Sequence, residues 1–415
     1  MSVEVALTDL AREESGRVLA LLAGRLGDLD LADEAVQEAL ITAWATWPER
    51  GVPDDPAAWL HTVARNKAVD RLRRRAAAAR RERAAAADLV EAFEPATERH
   101  LLQEDPVDGT PVGDDQLRLM LLCCHPALHR DAQVALTLRL VGGLTTTEIA
   151  AAYLQPEATI TQRIVRAKRK IRDAGIPLHL PARLDERIDG LLTVLYLVFN
   201  EGYLARGAQP LRVDLADEAV RLTRRTRGLL PDHAETGGLL ALMLLQRARF
   251  AGRFDGAGDL VLLEHQDRTR WDAAGIAEGH RVLAAALRLG RPGAYQLQGV
   301  VAALHAGART YADTDWTAVV AAYDALVGLT DSPVARLNRA AAVGRADGPR
   351  AGLRALDDVT GLDGYHLLHA TRGELLLRAG ERDEGLASLE RALELAPSEA
   401  ERRHLVRRIG AERRP

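Results

Sequence analysis

The chain has 415 residues, of which 47% are hydrophobic and 27% charged, and its formal net charge is -4 at pH 7. This length is too great for one ordinary core and predicts about two to four domains, while the composition is globular rather than disordered. A mean hydropathy of -0.13 without a long apolar run excludes a membrane span, and the acidic N-terminus is atypical of a signal peptide. Two adjacent cysteines supply no disulfide framework, so we expect a cytoplasmic protein.

The residue pattern predicts an all-α protein. Aromatic residues make up only 4% of the chain, alanine and leucine dominate, and apolar residues recur every three or four positions rather than every two. Two short Arg-rich segments, residues 65–75 and 163–172, contain every lysine of the chain. Such local basic helices are typical of phosphate binding, although solvated helix faces would give the same charge pattern.

The first amphipathic segment spans residues 31–47. One face is apolar and includes Trp44 and Trp47, which we expect to pack in the core. The opposite face is a polar stripe with one exposed apolar residue, and it carries Glu34, Gln37, Glu38 and Ile41. Most stripes of this kind are simply solvated, but this one also suits docking on a partner protein.

A second helix is predicted after Asp55, which can cap it, with Pro56 at its first helical position. The apolar residues expected inside are Leu60, Val63, Ala64 and Leu72. The residues left outside are aromatic, amide or basic, and they include Trp59, Arg65, Asn66, Lys67 and Arg73. Residues 85–113 are acidic, with Pro and Gly clustered near their end, which predicts a flexible linker after a first domain of residues 1–84.

A second helical domain is predicted from residue 114 to residue 177. Thr145 and Glu148 form a capping box that starts a short helix, which stops near Pro156. The next helix directs apolar residues inward, namely Ile160, Ile164, Ala167 and Ile171. Its outer face is polar and basic, with Thr161, Gln162, Arg163, Arg166 and Arg169. This order is typical of a helix-turn-helix, whose second helix suits the major groove of DNA.

After residue 177 the helices continue without basic clusters, and near the end a repeat occurs at an offset of 33 residues. Its first copy has Arg339, Arg345, Ala346, Gly352, Leu353 and Leu356, which match Arg372, Arg378, Ala379, Gly385, Leu386 and Leu389. We expect tetratricopeptide-like repeats in residues 291–415, after a helical domain of residues 178–290. Helix pairs of this kind stack into a solenoid with a concave surface, which predicts a protein or peptide partner.

Two polar clusters admit more than one interpretation. Cys123, Cys124 and His125 invite a metal or redox site, but adjacent cysteines on a helix point to different faces. Their neighbours are apolar, so buried packing is favoured. A later polar cluster comprises Glu264, Gln266, Asp267, Arg268 and Trp271. It could line a ligand groove, but interhelical hydrogen bonding is the favoured role. We therefore expect no metal and no cofactor.

The two N-terminal domains, in this order, resemble the short, extracytoplasmic-function class of bacterial sigma factors. Residues 33–39 with Trp44 look like region 2.2, residues 59–72 look like regions 2.3 and 2.4, and residues 144–172 are similar to region 4. This resemblance covers roughly the first 175 residues, and the two motif sets together are specific. The whole chain resembles a subgroup with a tetratricopeptide-like C-terminal extension.

The resemblance implies three sets of contact residues. In the family, region 2.2 docks on core RNA polymerase, which here implies Asp33, Glu34, Gln37, Glu38 and Ile41. Regions 2.3 and 2.4 melt the minus-ten promoter element, which implies Trp59, Arg65, Asn66, Lys67, Arg71, Arg73 and Arg74. Region 4 reads the minus-thirty-five element, which implies Thr159, Thr161, Gln162, Arg163, Arg166, Arg169 and Lys170.

The expected function is that of a sigma factor, which brings core RNA polymerase to promoter DNA and is regulated here by its own C-terminal extension. Such a subunit is not an enzyme, because the polymerase carries out the chemistry. Two other classes remain open: a helix-turn-helix regulator with a helical-repeat sensor domain, and a metal hydrolase built on Cys123, Cys124 and His125. The regulator leaves residues 33–39 and 59–72 unexplained, and the hydrolase lacks a recognisable base or nucleophile.

Overall fold

The protein is described by a computed structural model that covers residues 3–85, 112–153, 155–176, 184–203 and 213–414. Within these ranges the chain is helical, with an isolated bridge between Phe254 and Leu260 and no strand, which confirms the all-α prediction. The predicted linker, residues 85–113, lies outside the described residues except at its ends. No helix of the described ranges is long and apolar enough to cross a membrane.

The first compact unit is Met1–Leu197. Its helices are α1 (Val3–Asp9), α2 (Ser15–Leu26), α3 (Leu29–Arg50), α4 (Pro56–Ala85), α5 (Val112–Cys123), α6 (Arg130–Leu136), α7 (Thr146–Ala152), α8 (Glu157–Asp173) and the start of α9 (Leu184–Tyr203). A π-helical turn, Leu10–Glu14, joins α1 to α2, and a second one, Thr137–Val141, extends α6. This second segment is named the π turn below.

The core of this unit is apolar, and its largest fully buried side chains include Leu22, Leu31, Trp47, Leu60, Leu119, Met120, Leu136, Leu138 and Leu140. The prediction for Trp47 is thus confirmed, but the one for Trp44 is wrong, because Trp44 is 63% exposed. Position 44 lies about 100° around the helix from the buried Ala43, which turns the indole toward solvent. On α4, Leu60 and Ala64 are buried as predicted, while Val63 and Leu72 are half-buried.

The second compact unit is Val198–Pro415. After the end of α9 it contains α10 (Val213–Leu229), α11 (Ala234–Arg247), α12 (Ala273–Leu287), α13 (Ala294–Gly307), α14 (Trp316–Thr330), α15 (Pro333–Ala346), α16 (Pro349–Leu356), α17 (His366–Ala379), α18 (Arg382–Leu395) and α19 (Glu399–Arg413). Three short 3₁₀ turns lie between α11 and α12. Helices α15 to α18 therefore make two successive antiparallel pairs in the segment where the sequence repeats.

Glycines set how closely the two helices of each pair cross. A Cβ atom built on Gly352 would lie 3.0 Å from the carbonyl oxygen of Ala340, and one built on Gly385 would lie 3.2 Å from that of Gly373. These two contacts are equivalent at the offset of 33 residues found in the sequence. The same backbone approach thus recurs in both pairs. Their assignment to the tetratricopeptide class stays a prediction.

Gly352→Ala should destabilise the second unit by about 1–3 kcal/mol, the usual cost of overpacking, because the new methyl group would meet backbone atoms that cannot move aside. Gly328→Ala is the matched control, since Gly328 lies exposed in α14 with no atom within 4 Å of a built Cβ. That change should be neutral or stabilise by up to about 1 kcal/mol. Urea unfolding followed by circular dichroism measures both, and an unshifted midpoint for Gly352→Ala would contradict the close crossing.

Candidate nucleic-acid and partner-protein interfaces

Helix α3 presents the predicted docking stripe on the face opposite the core. The helix begins where the Asp28 carboxylate accepts a hydrogen bond from the Leu31 amide at 2.9 Å. Ile41 on this outer face is 68% exposed, as predicted. Trp44 lies one turn further along, and residues three apart are neighbours on a helix surface. The stripe therefore includes an exposed isoleucine–tryptophan pair, of which the sequence pattern predicts only Ile41 outside the core.

Arg71 of α4 joins the acidic part of that stripe to the predicted DNA-binding helix. Its Nε donates to the Glu38 carboxylate at 3.0 Å, and its terminal nitrogens form ion pairs with Glu34 and Glu38. The hydrogen bond from Arg71 lowers the pKa of Glu38, and the same bond raises the pKa of Arg71. Because all three side chains stay partly exposed, the pairs contribute little to stability, about 0–1 kcal/mol each. They mainly fix the position of Arg71.

The remaining predicted contacts of α4 lie along its outer face. Asp55 caps the helix by accepting from the Ala58 amide at 2.9 Å, which confirms the predicted start. Trp59 is half-buried, with its ring centre 5.3 Å from that of Trp47 in an edge-on arrangement. The exposed residues of the predicted set are Asn66, Arg73 and Arg74, and the half-buried ones are Arg65, Lys67 and Arg71.

Helices α7 and α8 form the predicted helix-turn-helix. The capping box is present: the Thr145 amide donates to the Glu148 carboxylate at 2.7 Å, and the Glu148 amide donates to the Thr145 hydroxyl at 3.1 Å. All four residues predicted inside α8 are buried, namely Ile160, Ile164, Ala167 and Ile171. The outer face exposes Thr159, Thr161, Gln162, Arg166, Arg169 and Lys170. Arg163 is half-buried, 3.7 Å from Asp131.

Helix α8 also contacts helix α3 directly. Lys168 forms ion pairs with Asp33 and, at 3.8 Å, with Asp30, and Arg172 lies 2.6 Å from Asp30. The side chains of Lys168 and Asp33 are only 13% and 14% exposed, so these charges are largely withdrawn from water. Asp33, a predicted polymerase contact, is therefore engaged inside the protein. We call this set of pairs the α3–α8 contact.

The backbones of α2 and the π turn pack closely beside the α3–α8 contact. A Cβ atom built on Gly16 of α2 would lie only 2.8 Å from the carbonyl oxygen of Val141 in the π turn. Nothing larger than hydrogen fits there. The two helical domains of the first unit thus share an interface of close backbone packing and half-buried ion pairs.

The cysteines beside this interface serve packing. Cys123 and Cys124 are buried, as predicted, and the Cys124 thiol lies 3.6 Å from the Thr137 hydroxyl. Burial raises the pKa of Cys124 to about 11, so the thiol stays protonated at neutral pH. His125 and His129 accept hydrogen bonds from nearby backbone amides. Among the described residues there is no group of three or more His, Cys, Asp or Glu that could hold a metal ion.

The polar cluster at residues 264–271 makes its contacts within the second unit. Arg268 donates to the carbonyl oxygens of His305 and Ala308, both at 2.6 Å, and its guanidinium lies 4.5 Å from the ring centre of Trp271. These contacts bear out the predicted interhelical hydrogen bonding. Glu264 likewise contacts another element, since its carboxylate accepts a hydrogen bond from Arg345 of α15 at 2.8 Å.

Sequence reasoning missed the residues that hold the α3–α8 contact. Asp30 and Asp33 lie three apart on α3, while Lys168 and Arg172 lie four apart on α8, so each pair shares a helix face. That spacing is the only local signal. It does not identify the partner, because the two pairs are far apart in the chain.

Comparison with protein families gives three matches. The family described as Sigma-70 region 2 matches residues 10–78, and the family described as Sigma-70, region 4 matches residues 118–171. A family of unknown function (DUF6596) matches residues 187–287. The first two matches cover the helices α3, α4, α7 and α8 that carry the interfaces described above.

Two curated proteins are similar to this chain. "Uncharacterized protein R00370" of Rhizobium meliloti (strain 1021) is 42% identical over 403 residues, which are 96% of this chain and 93% of that protein. "ECF RNA polymerase sigma factor SigK" of Mycobacterium ulcerans (strain Agy99) is 29% identical over 158 residues, which are 38% of this chain and 79% of that protein. The chain thus shares a family with the Rhizobium protein along nearly its whole length.

Asp33→Lys should open the α3–α8 contact, because it places an ammonium group against Lys168. Alkylation of Cys123 by iodoacetamide reports the opening, since this thiol is fully buried. It also lies near the contact: burial and Cys124 raise its pKa, and the charges of Lys168 and Asp33 act on it as well. We expect alkylation about tenfold faster or more than in the unaltered chain, given the cost of an unpaired, largely buried charge.

The chain with both Asp33→Lys and Lys168→Asp should return toward the original alkylation rate, because the pair is restored with exchanged charges. Asp54→Lys, in the exposed loop between α3 and α4, controls for the added positive charge. Equal rates in Asp33→Lys and Asp54→Lys would show that the ion pair does not hold the two domains together.

Proposed function

We propose a role in transcription initiation for this chain, which belongs to the sigma-70 family as an extracytoplasmic-function sigma factor with a C-terminal extension. Its region 2 and region 4 domains imply core RNA polymerase and promoter DNA as partners. Sigma factors are not enzymes, and the polymerase supplies the chemistry.

The observation that carries the proposal is the pair of helices α4 and α8. Each buries apolar residues along one face and turns a basic face outward. Cations fixed on a helix attract phosphates, while polar side chains between them can read base edges in the major groove. A single basic helix could be a solvated surface. Two of them, in the region 2 and region 4 domains of one chain, fit two promoter elements.

For region 2, we propose that the α3 stripe docks on polymerase and that α4 acts at the minus-ten element. The exposed Ile41 and Trp44 provide the apolar centre that protein interfaces favour, with Glu34 and Glu38 beside it. Melting a base step costs a few kcal/mol, and stacking on an aromatic ring returns about 1–3 kcal/mol per base. Trp59, half-buried near the start of α4, can supply such a ring.

For region 4, we propose that α8 enters the major groove at the minus-thirty-five element. Arg166 is the strongest candidate for base contact, because it is exposed and makes no ion pair with any residue in the described ranges. Thr161 and Gln162 lie beside it on the same outer face. Lys170 and Arg169 continue the face toward the end of the helix, where phosphate contacts would set the orientation.

The two elements cannot be read together while α3 and α8 are in contact. Elements named minus ten and minus thirty-five are about 25 base pairs apart, which is roughly 85 Å of duplex at about 3.4 Å per pair. Direct ion pairs such as Lys168–Asp33 are incompatible with that separation. We therefore propose that the first unit opens before promoter binding and that Asp33 becomes available to polymerase only then.

We also propose that the C-terminal extension controls the sigma domains. The Arg187 guanidinium donates to the Leu121 carbonyl oxygen at 2.6 Å, which ties the start of α9 to helix α5 of region 4. The DUF6596 match begins at the same residue. An extension anchored on region 4 is suited to bias the opening of the α3–α8 contact. We propose that the extension acts in this way as the protein's own regulator.

Adding the purified chain to core RNA polymerase should produce transcripts with defined start sites on fragmented genomic DNA, mapped by sequencing their 5′ ends. Core polymerase alone should give no such sites. Glu34→Gln with Glu38→Gln should reduce these transcripts and co-purification with polymerase, without adding a like charge beside Arg71. Defined starts that require another sigma factor would instead support the helix-turn-helix regulator. Unchanged co-purification of the double variant would count against the docking role of the α3 stripe.

Changes in α8 and α4 should separate binding from melting. Arg166→Ala should weaken recognition of the upstream element by about 1–3 kcal/mol if it contacts a base. Trp59→Ala should leave upstream binding intact and reduce promoter opening, measured by permanganate footprinting. Arg17→Ala, exposed on α2, is the control for losing one surface cation. Normal melting in Trp59→Ala would remove the stacking role.

A further inference from the structure

A groove of about 390 Å³ opens between helices of the second unit. Its walls are mostly apolar and are formed chiefly by α14, α15, α17 and α19. Aromatic side chains of Tyr311, Trp316 and Tyr323 line it. Ligand sites are commonly concave, about 300–1,000 Å³ in volume, and apolar with a few placed polar groups. The groove has these properties.

The polar groups of the groove recur at the repeat offset. Asn338 and Arg345 of α15 correspond to Thr371 and Arg378 of α17, and all four line the groove. Packed helices lie about 8–10 Å apart, a distance that an extended peptide covers in about three residues. Side chains that repeat at this interval fit an extended chain better than a compact small molecule.

The charges in the groove are unevenly matched. Arg345 is paired with Glu264 and lies 5.0 Å from the ring centre of Tyr311. Glu374 is bound in a two-point contact by Arg408, at 2.7 and 3.1 Å. Arg378 makes neither an ion pair nor a hydrogen bond with any residue that the structure describes. Glu401, which also lines the groove, lies 3.3 Å from His366 and accepts a hydrogen bond from the Ser398 hydroxyl. Arg378 is thus the charged lining residue that is left without a partner in the described ranges.

The environment of Arg378 favours an incoming anion. Arg378 is exposed, and its partial burial and the charge of Arg345 lower its pKa, whereas Tyr311, Glu264 and Glu374 act in the opposite direction. A carboxylate placed between the two arginines would offset the repulsion between their charges. Arginine binds carboxylates through two parallel hydrogen bonds, which are stronger than neutral ones.

We propose that this groove binds an extended acidic peptide segment of a partner protein. One carboxylate lies between Arg378 and Arg345, and an adjacent apolar side chain packs against Tyr311 and Trp316. Asn338 and Thr371 are placed to bond the peptide backbone. The consequence for transcription rests on the regulatory role proposed above for the extension, but the binding itself does not require polymerase.

Fluorescence anisotropy with the full-length protein tests this. The probe is a short fluorescein-labelled peptide of alternating aspartate and leucine, compared with one in which asparagine replaces every aspartate and one in which serine replaces every leucine. We expect the first peptide to bind at least about tenfold more tightly than either of the others, since both the charge and the apolar contact would contribute. Its affinity should fall as salt is raised.

Arg378→Gln should weaken binding of the aspartate–leucine peptide by about tenfold or more. Arg354→Gln is the matched control, because Arg354 is exposed on α16 and does not line the groove. Circular dichroism checks that both variants fold. Equal binding of the aspartate and asparagine peptides, or an unchanged affinity in Arg378→Gln, would overturn the proposal.

Octanoate, added as a competitor, separates a peptide site from a site for small carboxylates. Displacement of the peptide only at high octanoate concentration supports the proposal. Tight octanoate binding without peptide binding would overturn it in favour of a small-molecule site. Neither result bears on promoter-specific transcription, so failure here is distinguishable from failure of the sigma-factor role.

Discussion

The Lys168–Asp33 ion pair lies where the two DNA-binding domains of the first unit meet, and both of its charges are largely hidden from water. Largely buried charges are stable only while they are paired, because the loss of one partner leaves the other without solvation. Each residue also belongs to a helix with a proposed external contact: Asp33 lies on α3, which we propose docks on polymerase, and Lys168 lies on α8, which we propose reads DNA. A partner that takes one of them therefore acts on the other.

Arg71 likewise links two predicted contact surfaces through ion pairs. Glu34 and Glu38 hold it across the space between α3 and α4, so the predicted polymerase stripe also orients a predicted DNA contact. Because these groups remain partly exposed, the energy involved is small and the pairs can exchange partners readily. Lys168 and Asp33 are more deeply placed. The first unit thus combines a labile set of ion pairs within region 2 with a firmer one between regions 2 and 4.

Local features of the fold could be predicted because they depend on neighbours in the chain. The period of Ile160, Ile164 and Ala167 gives the buried face of α8, and the Thr145–Glu148 capping box marks the start of α7. The crossing position Gly352 was found only because a second copy of it exists at Gly385. A repeat converts a long-range contact into a sequence signal. The close crossing in α15–α16 and α17–α18 could therefore be inferred from the repeat, although neither glycine alone indicates it.

Contacts between distant elements could not be predicted in this way. Trp44 is wrongly predicted in the core because helical periodicity gives the direction of an apolar face but not which residues at its edge are buried. The α3–α8 contact joins charges that look like ordinary solvated groups until the helices are brought together. The lack of a partner for Arg378 is likewise a matter of distant contacts, because Arg408 of α19 binds the nearby Glu374. Charge balance in a groove is a tertiary property, and a single sequence does not contain it.

Gly16 has a genetic consequence. Its α carbon faces the Val141 carbonyl so closely that even a methyl group would push region 2 away from the π turn. Every missense change of a glycine codon adds a side chain, and many need only one nucleotide substitution. On the proposal that closure restrains the sigma domains, lesions at this codon would be dominant gain-of-function alleles. A selection for promoter activity without an inducing signal would enrich them from random mutations. The enriched alleles would be those in which the added side chain at position 16 leaves each domain folded.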